Sequence, residues 1–129
     1  MSESDYQLVL LKIPVSDVDR AAAFYRDALG FEERFVAAEY GWAQLQAGAV
    51  PLGLYKPGMG GGEGPIGGSL DFHLGLFPAS FDPLAQRLKE QGLLVENMIH
   101  RGDDGSTFFE VSDPDGNRLK AMRLPSEAP

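Results

Sequence analysis

Apolar and polar positions alternate along several short stretches, and helical spacing interrupts them twice. After a polar start, the run Leu8-Val9-Leu10-Leu11-Lys12-Ile13-Pro14-Val15 is aliphatic and β-branched and reads as a half-buried strand. Ser16, with Asp19 three residues on, opens a helix in a capping-box-like arrangement. Val18, Ala22, Tyr25 and Leu29 recur at helical spacing and point to the core, and Gly30 is the expected stop. A short strand is expected over residues 33–37, then two more over 41–46 and 50–55, joined through Ala47-Gly48-Ala49 as a hairpin. In the first of these, Gln44 and Gln46 alternate with Ala43 and Leu45, the signature of a strand with one buried face.

A glycine-rich stretch over residues 57–69 separates this half from a second one like it. It lacks the Gly-Lys-Ser/Thr ending of a phosphate loop, and it reads as a flexible connector, with a lid over a pocket as the sharper alternative. Leu70, Phe72, Leu74 and Leu76 then share one strand face, and Asp71, His73 and Gly75 the other. Asp82 before Pro83 marks a helix start, Leu84 and Leu88 lie one turn apart, and Gly92 ends the helix. Strands are expected over 93–99, 107–112 and 118–123. Asp113-Pro114-Asp115-Gly116-Asn117 forms the last hairpin turn, Gly116 and Asn117 taking positive φ. The pattern is therefore a repeat, strand-helix-three strands, with module one at about 6–57, a connector at 58–69 and module two at about 70–124 of a single domain, 1–129. The fold class is α+β: two βαβββ modules forming a curved mixed sheet around a concave pocket, helices outside.

Composition narrows the function. A net charge of −8 argues against nucleic acid, whose phosphates require a basic surface. No apolar run is long enough for a membrane span, and the polar, acidic first residues do not read as a secretory signal. There is no cysteine, so neither disulfides nor thiolate chemistry arise, and a cytoplasmic location is expected. Arg101-Gly102-Asp103 resembles an adhesion tripeptide, but nothing else in the chain suggests an extracellular protein. Asp113 to Asn117 is not a calcium loop, because its glycine is misplaced and the closing glutamate is missing.

Three segments carry a resemblance to a known family: Ile13-Pro14-Val15-Ser16-Asp17 leading to Ala23-Phe24-Tyr25 and Ala28-Leu29-Gly30-Phe31, then His73 ahead of a helix ending in Gly92, then Asp113-Pro114-Asp115-Gly116-Asn117 before a final strand. In this order they resemble the vicinal oxygen chelate superfamily, which includes glyoxalase I, the bleomycin resistance proteins and the extradiol dioxygenases. The resemblance implies four inward-facing metal-ligand positions, two per module, and a homodimer. Carried over, the four positions are Leu10, Gly53, His73 and Lys120. Leu10 has no lone pair, Gly53 has no side chain, and an ammonium at Lys120 repels a divalent cation. Three protein ligands are the usual minimum, so no metal cofactor is expected.

The expected function is binding of a small aromatic or amphipathic molecule without the family's metal centre, as in the bleomycin-resistance branch. The candidate ligand-binding residues are Leu10, Trp42, Tyr55, His73, Glu110 and Lys120, with Leu8 beside them. Each also has a plainer reading. His73 is a hydrogen-bonding group or base, or an imidazole satisfied by a neighbour. Lys120 pairs with a ligand anion, or with Asp71 or Glu110, or extends to solvent. Trp42 and Tyr55 are pocket walls or core, Phe108 and Phe109 are core, and His100 is surface. Asp71 and Glu110 are rim carboxylates or, with His73, an improvised metal site. The alternative function is therefore a divalent-metal-dependent glyoxalase-like lyase or extradiol-type dioxygenase with non-standard ligands. A third is metal-free catalysis with His73 or Lys120 as base. The acidic balance favours a cationic ligand and Lys120 an anionic one, and the sequence leaves the two cues in conflict.

Overall fold

A computed structural model of the chain describes residues 9–67 and 73–125, which divide into two compact units at Ile66/Gly67. Leu8 and Asp71 lie outside the described residues. The first unit runs β1 (Leu11–Pro14), α1 (Val18–Ala23) continuing as a wider π-helical turn (Phe24–Ala28), β2 (Glu32–Ala37), β3 (Trp42–Ala47) and β4 (Val50–Tyr55). The second runs β5 (His73–Leu76), α2 (Pro78–Glu90), β6 (His100–Arg101), β7 (Thr107–Ser112) and β8 (Arg118–Arg123). The strand orders β1-β4-β3-β2 and β5-β8-β7-β6 are the same, with the first pair parallel in each and the others antiparallel. The expected α+β class and the two βαβββ modules are both present, each with a four-stranded mixed sheet.

One face of each sheet is closed by a helix. In the first unit Ile13, Ala43, Leu45, Leu52 and Leu54 are buried together with Val18, Ala21, Ala22 and Tyr25 of the helix. All four apolar positions expected to face the core, Val18, Ala22, Tyr25 and Leu29, do so. Tyr25 is fully buried and stacks on Phe31, with ring centroids 5.8 Å apart. In the second unit Phe81, Leu84, Ala85 and Leu88 of α2 meet Phe109, Val111, Leu119 and Ala121, and the rings of Phe81 and Phe109 lie 5.3 Å apart. At about 25 cal/mol per Å² of apolar surface removed from water, these two interfaces are the main favourable term in each unit.

Several local expectations are corrected. The helix cap is Asp17, not Ser16: its carboxylate accepts from Arg20 N–H at 3.0 Å, while the Ser16 hydroxyl accepts from the Arg20 guanidinium. In α2, Pro78 takes the first helical turn and Pro83 lies inside the helix. Asp82 does not cap, because its carboxylate is held by Arg123 at 3.1 Å. Residues 93–99 form no strand. Leu94 and Ile99 are buried as anchors on either side of a 3-10 turn, Glu96–Met98, and only His100 and Arg101 pair with β7. Phe108 is not core: its neighbour Phe109 points to α2, and strand alternation sends Phe108 to the opposite face, half-buried.

The last hairpin turn is built by side chains. Gly116 has the expected positive φ (84°), but Asn117 does not; among the described residues only glycines take positive φ. Asn117 is instead buried, its amide donating to Asp113 Oδ2 at 2.9 Å and its Oδ1 accepting from Gly67 N–H at 3.2 Å. Asp113, also buried, accepts from the N–H groups of Asp115 and Asn117. Removing one partner strands the others without solvent. Asn117→Ala is therefore expected to lower unfolding free energy by about 2 kcal/mol in urea denaturation. Asp104→Ala, at an exposed turn, serves as the comparison and should change it by less than about 0.5 kcal/mol.

Candidate functional site

Because the strand orders are the same, the uncovered face of each sheet can be read in rows across its strands. In the first sheet Lys12, Gly53 and Gln44 lie side by side across β1, β4 and β3, followed by the row Pro14, Tyr55 and Trp42. In the second sheet the rows are His73, Lys120 and Glu110, then Gly75, Met122 and Phe108. His73, Lys120 and Glu110, three of the expected site residues, are thus brought together. The charged residue in the first-sheet rows is Lys12, which the sequence reading did not single out. Its signal was present: a lone charge in an apolar strand, on the face opposite Ile13.

The first unit carries a built cavity on this face. It has a volume of about 490 Å³ and is lined by Leu10, Lys12, Tyr40, Trp42, Met59 and the backbone at Gly60 and Gly61. Trp42 lies across Gly53. A Cβ placed at Gly53 would stand 2.5 Å from Trp42 Cη2 and 2.7 Å from Cζ2, with Leu10 Cδ1 at 3.3 Å. The missing side chain is what allows the indole to lie there.

The glycine-rich stretch folds back over the same corner. Met59 packs on Gly41, where a Cβ would meet Met59 Cβ and Sδ at 2.9 Å. Gly61 approaches Tyr55 and Trp42, where a Cβ would come to 3.0 and 3.2 Å. Gly58 N–H donates to Gly62 O, Lys12 Nζ to Gly61 O at 2.8 Å, and Tyr55 Oη to Glu63 O at 3.3 Å. Gly58, Gly60 and Gly62 all have positive φ, a conformation L side chains rarely adopt. Tyr55 does not line the cavity; it is 6% exposed and forms the floor beneath this strap, with Lys12 Nζ 5.2 Å from its ring centroid.

On the second sheet the uncovered face is more open. Lys120 Nζ sits 5.8 Å from the Phe108 ring centroid, and Phe108 stacks on exposed His100 at 4.9 Å. Glu110 lies 3.8 Å from Arg118 rather than bonding Lys120. Another cavity, of about 370 Å³, borders α2 and contains Lys89, Arg101, Arg123 and Asp82. Its cations are already engaged: Arg123 with Asp82, and Lys89 and Arg101 with Glu96, whose carboxyl they hold below the usual carboxylate range.

Among the described residues no group of three or more His, Cys, Asp or Glu side chains is placed to hold a metal ion. By register Lys120 stands between His73 and Glu110 in the second sheet, and in the first Trp42 occupies the space above Gly53.

Comparison with known proteins agrees with the geometry of the fold. No curated protein sequence matches the chain. Among solved structures, a lactoylglutathione lyase from Agrobacterium tumefaciens superposes with a TM-score of 0.76 at 23% identity, covering 94% of this chain and 96% of the other. The oxidase ChaP-H2 gives 0.73 at 20% identity, covering 97% and 98%. A glyoxalase family protein from Bacillus anthracis gives 0.68 at 22% identity, covering 97% and 100%. Residues 7–121 match the family model described as Glyoxalase/Bleomycin resistance protein/Dioxygenase superfamily, and the chain belongs to that superfamily.

Proposed function

We propose that this chain binds a small aromatic or amphipathic molecule on the uncovered face of its first sheet, without the divalent metal on which chelating members of the superfamily rely. The observation that carries the reading is the Trp42 indole lying across Gly53: the strand position expected to hold a metal ligand holds an aromatic wall instead. Leu10, Met59 and Tyr40 complete an apolar lining around it. An indole and a thioether offer dispersion contact to a flat or aliphatic ligand and no strong donor to a metal. A metal-dependent lyase or dioxygenase would need a donor set, and the register position of Lys120 between His73 and Glu110 supports the metal-free reading. Homodimerisation, on resemblance, and a cytoplasmic location, on the cysteine-free composition, belong to the same reading.

Two measurements test it. After incubation with Zn, Ni, Mn or Fe(II) and dialysis, the protein is expected to retain far less than one metal per chain. Stoichiometric metal that is lost on His73→Ala would contradict the proposal. The second is a double-mutant cycle in urea. Gly53→Ala is expected to cost about 1–3 kcal/mol by pushing against the indole, and much less in a Trp42→Ala background. Equal costs in both backgrounds would mean the indole does not occupy that space.

A further inference from the structure

We propose that the first-sheet cavity selects molecules that join an aromatic ring to a single anionic group, and that Lys12 is the residue that reads the anion. This rests on the reading that the cavity binds an aromatic or amphipathic molecule, and it names the class. Of the described residues lining the cavity, Lys12 alone carries a charge, and none of them is a carboxylate. The ammonium is exposed and stands at the edge of the aromatic floor, 5.2 Å from the Tyr55 centroid. Its hydrogen bond goes to a neutral backbone carbonyl, Gly61 O, at 2.8 Å. An ammonium has three donors, and a carboxylate or phenolate is a stronger acceptor than a peptide carbonyl. A ligand whose ring lies against Trp42 can therefore place its anion on Lys12.

The same bond links recognition to access. Gly61 O belongs to the strap, and Lys12 is one of two side-chain donors holding it, the other being Tyr55 Oη on Glu63 O. A ligand anion that takes Lys12 from Gly61 loosens the segment covering Trp42 and Tyr55. The glycines at 58, 60, 61 and 62 leave Met59, packed on Gly41, as the one side chain between 58 and 62 that must shift when that segment moves. The conflict left by the sequence between a cationic and an anionic ligand resolves at this cavity: the net charge of −8 is a property of the whole chain, whereas the cavity itself presents a lone positive group.

Trp42 is the only tryptophan in the chain, so its fluorescence reports on the cavity directly. The full-length protein would be titrated with 2-naphthoate, with the isosteric neutral 2-naphthamide and with 2-naphthylmethylammonium. Each titration would be repeated on Lys12→Met, which keeps the stem and removes the charge, and on Lys12→Arg, which keeps the charge. Circular dichroism would confirm that the variants fold. The expected result is saturable Trp42 quenching with naphthoate bound at least about tenfold tighter than the amide. That preference should be lost in Lys12→Met and kept in Lys12→Arg. Equal affinity for naphthoate and naphthamide, or a preference that survives Lys12→Met, would overturn the role of Lys12 while leaving an aromatic-binding cavity in place. Tightest binding of the ammonium probe would do the same. No Trp42 response to any probe would overturn both the anion selectivity and the binding reading beneath it.

Discussion

Burial of alternate strand residues beneath the helices fixes the register of both sheets, and the register decides which chemistry is left uncovered. A slip of one residue in β4 would turn Leu52 and Leu54 outward and put Gly53 and Tyr55 under α1, exchanging every contact on that face. The same holds for Leu119 and Ala121 of β8 against α2. The rows Lys12-Gly53-Gln44 and His73-Lys120-Glu110 are therefore consequences of core packing. Neither row was assembled by loops, which is why the two modules can be compared row by row.

That comparison shows one scaffold carrying two different surfaces. The strand between the parallel and antiparallel neighbours carries Gly53 in the first sheet, beside Trp42, and Lys120 in the second, near Phe108. With no side chain at Gly53 the indole lies across the strand, and the strap from Gly58 to Gly62 closes over it by backbone approach. With Lys120 on that strand, the second sheet places an ammonium near Phe108 and leaves His100 stacked in the open. The superfamily fold is shared, while the two uncovered faces carry different side chains, an indole across Gly53 on one and Lys120 near Phe108 on the other. Function follows the residues on the uncovered rows, and the fold alone does not specify it.

Much of the fold was legible because it depends on local patterning. Val18, Ala22, Tyr25 and Leu29 announce a buried helix face, Ala43 and Leu45 a buried strand face, and Gly30, Gly92 and Gly116 the points of reversal. Features that depend on distant partners were not legible. Asp82-Pro83 has the local chemistry of a helix start, but Arg123, 41 residues away, takes the aspartate and Pro78 takes the first turn. Leu93 to Ile99 is apolar enough for a strand, yet only Leu94 and Ile99 find the core. Asn117 has the composition of a turn residue but works as a buried amide between Asp113 and Gly67. The placement of Trp42, His73, Lys120 and Glu110 on the uncovered faces was readable from strand alternation. The lone charge of Lys12 in an apolar strand was visible too, but its partner was not, because that is a carbonyl 49 residues on, in a segment whose composition reads as linker.

The central claim is that the first-sheet cavity is an organic-ligand site that needs no metal. The most direct measurement is the fluorine NMR spectrum of protein labelled with 5-fluorotryptophan, which gives a single site-specific signal from Trp42. Spectra would be recorded with an aromatic carboxylate, in the presence of a chelator and then of added Zn or Ni. The account predicts a ligand-induced shift that saturates in chelator and is unchanged by metal. A shift that occurs only when metal is present would contradict it and return the chain to the chelate chemistry of its superfamily.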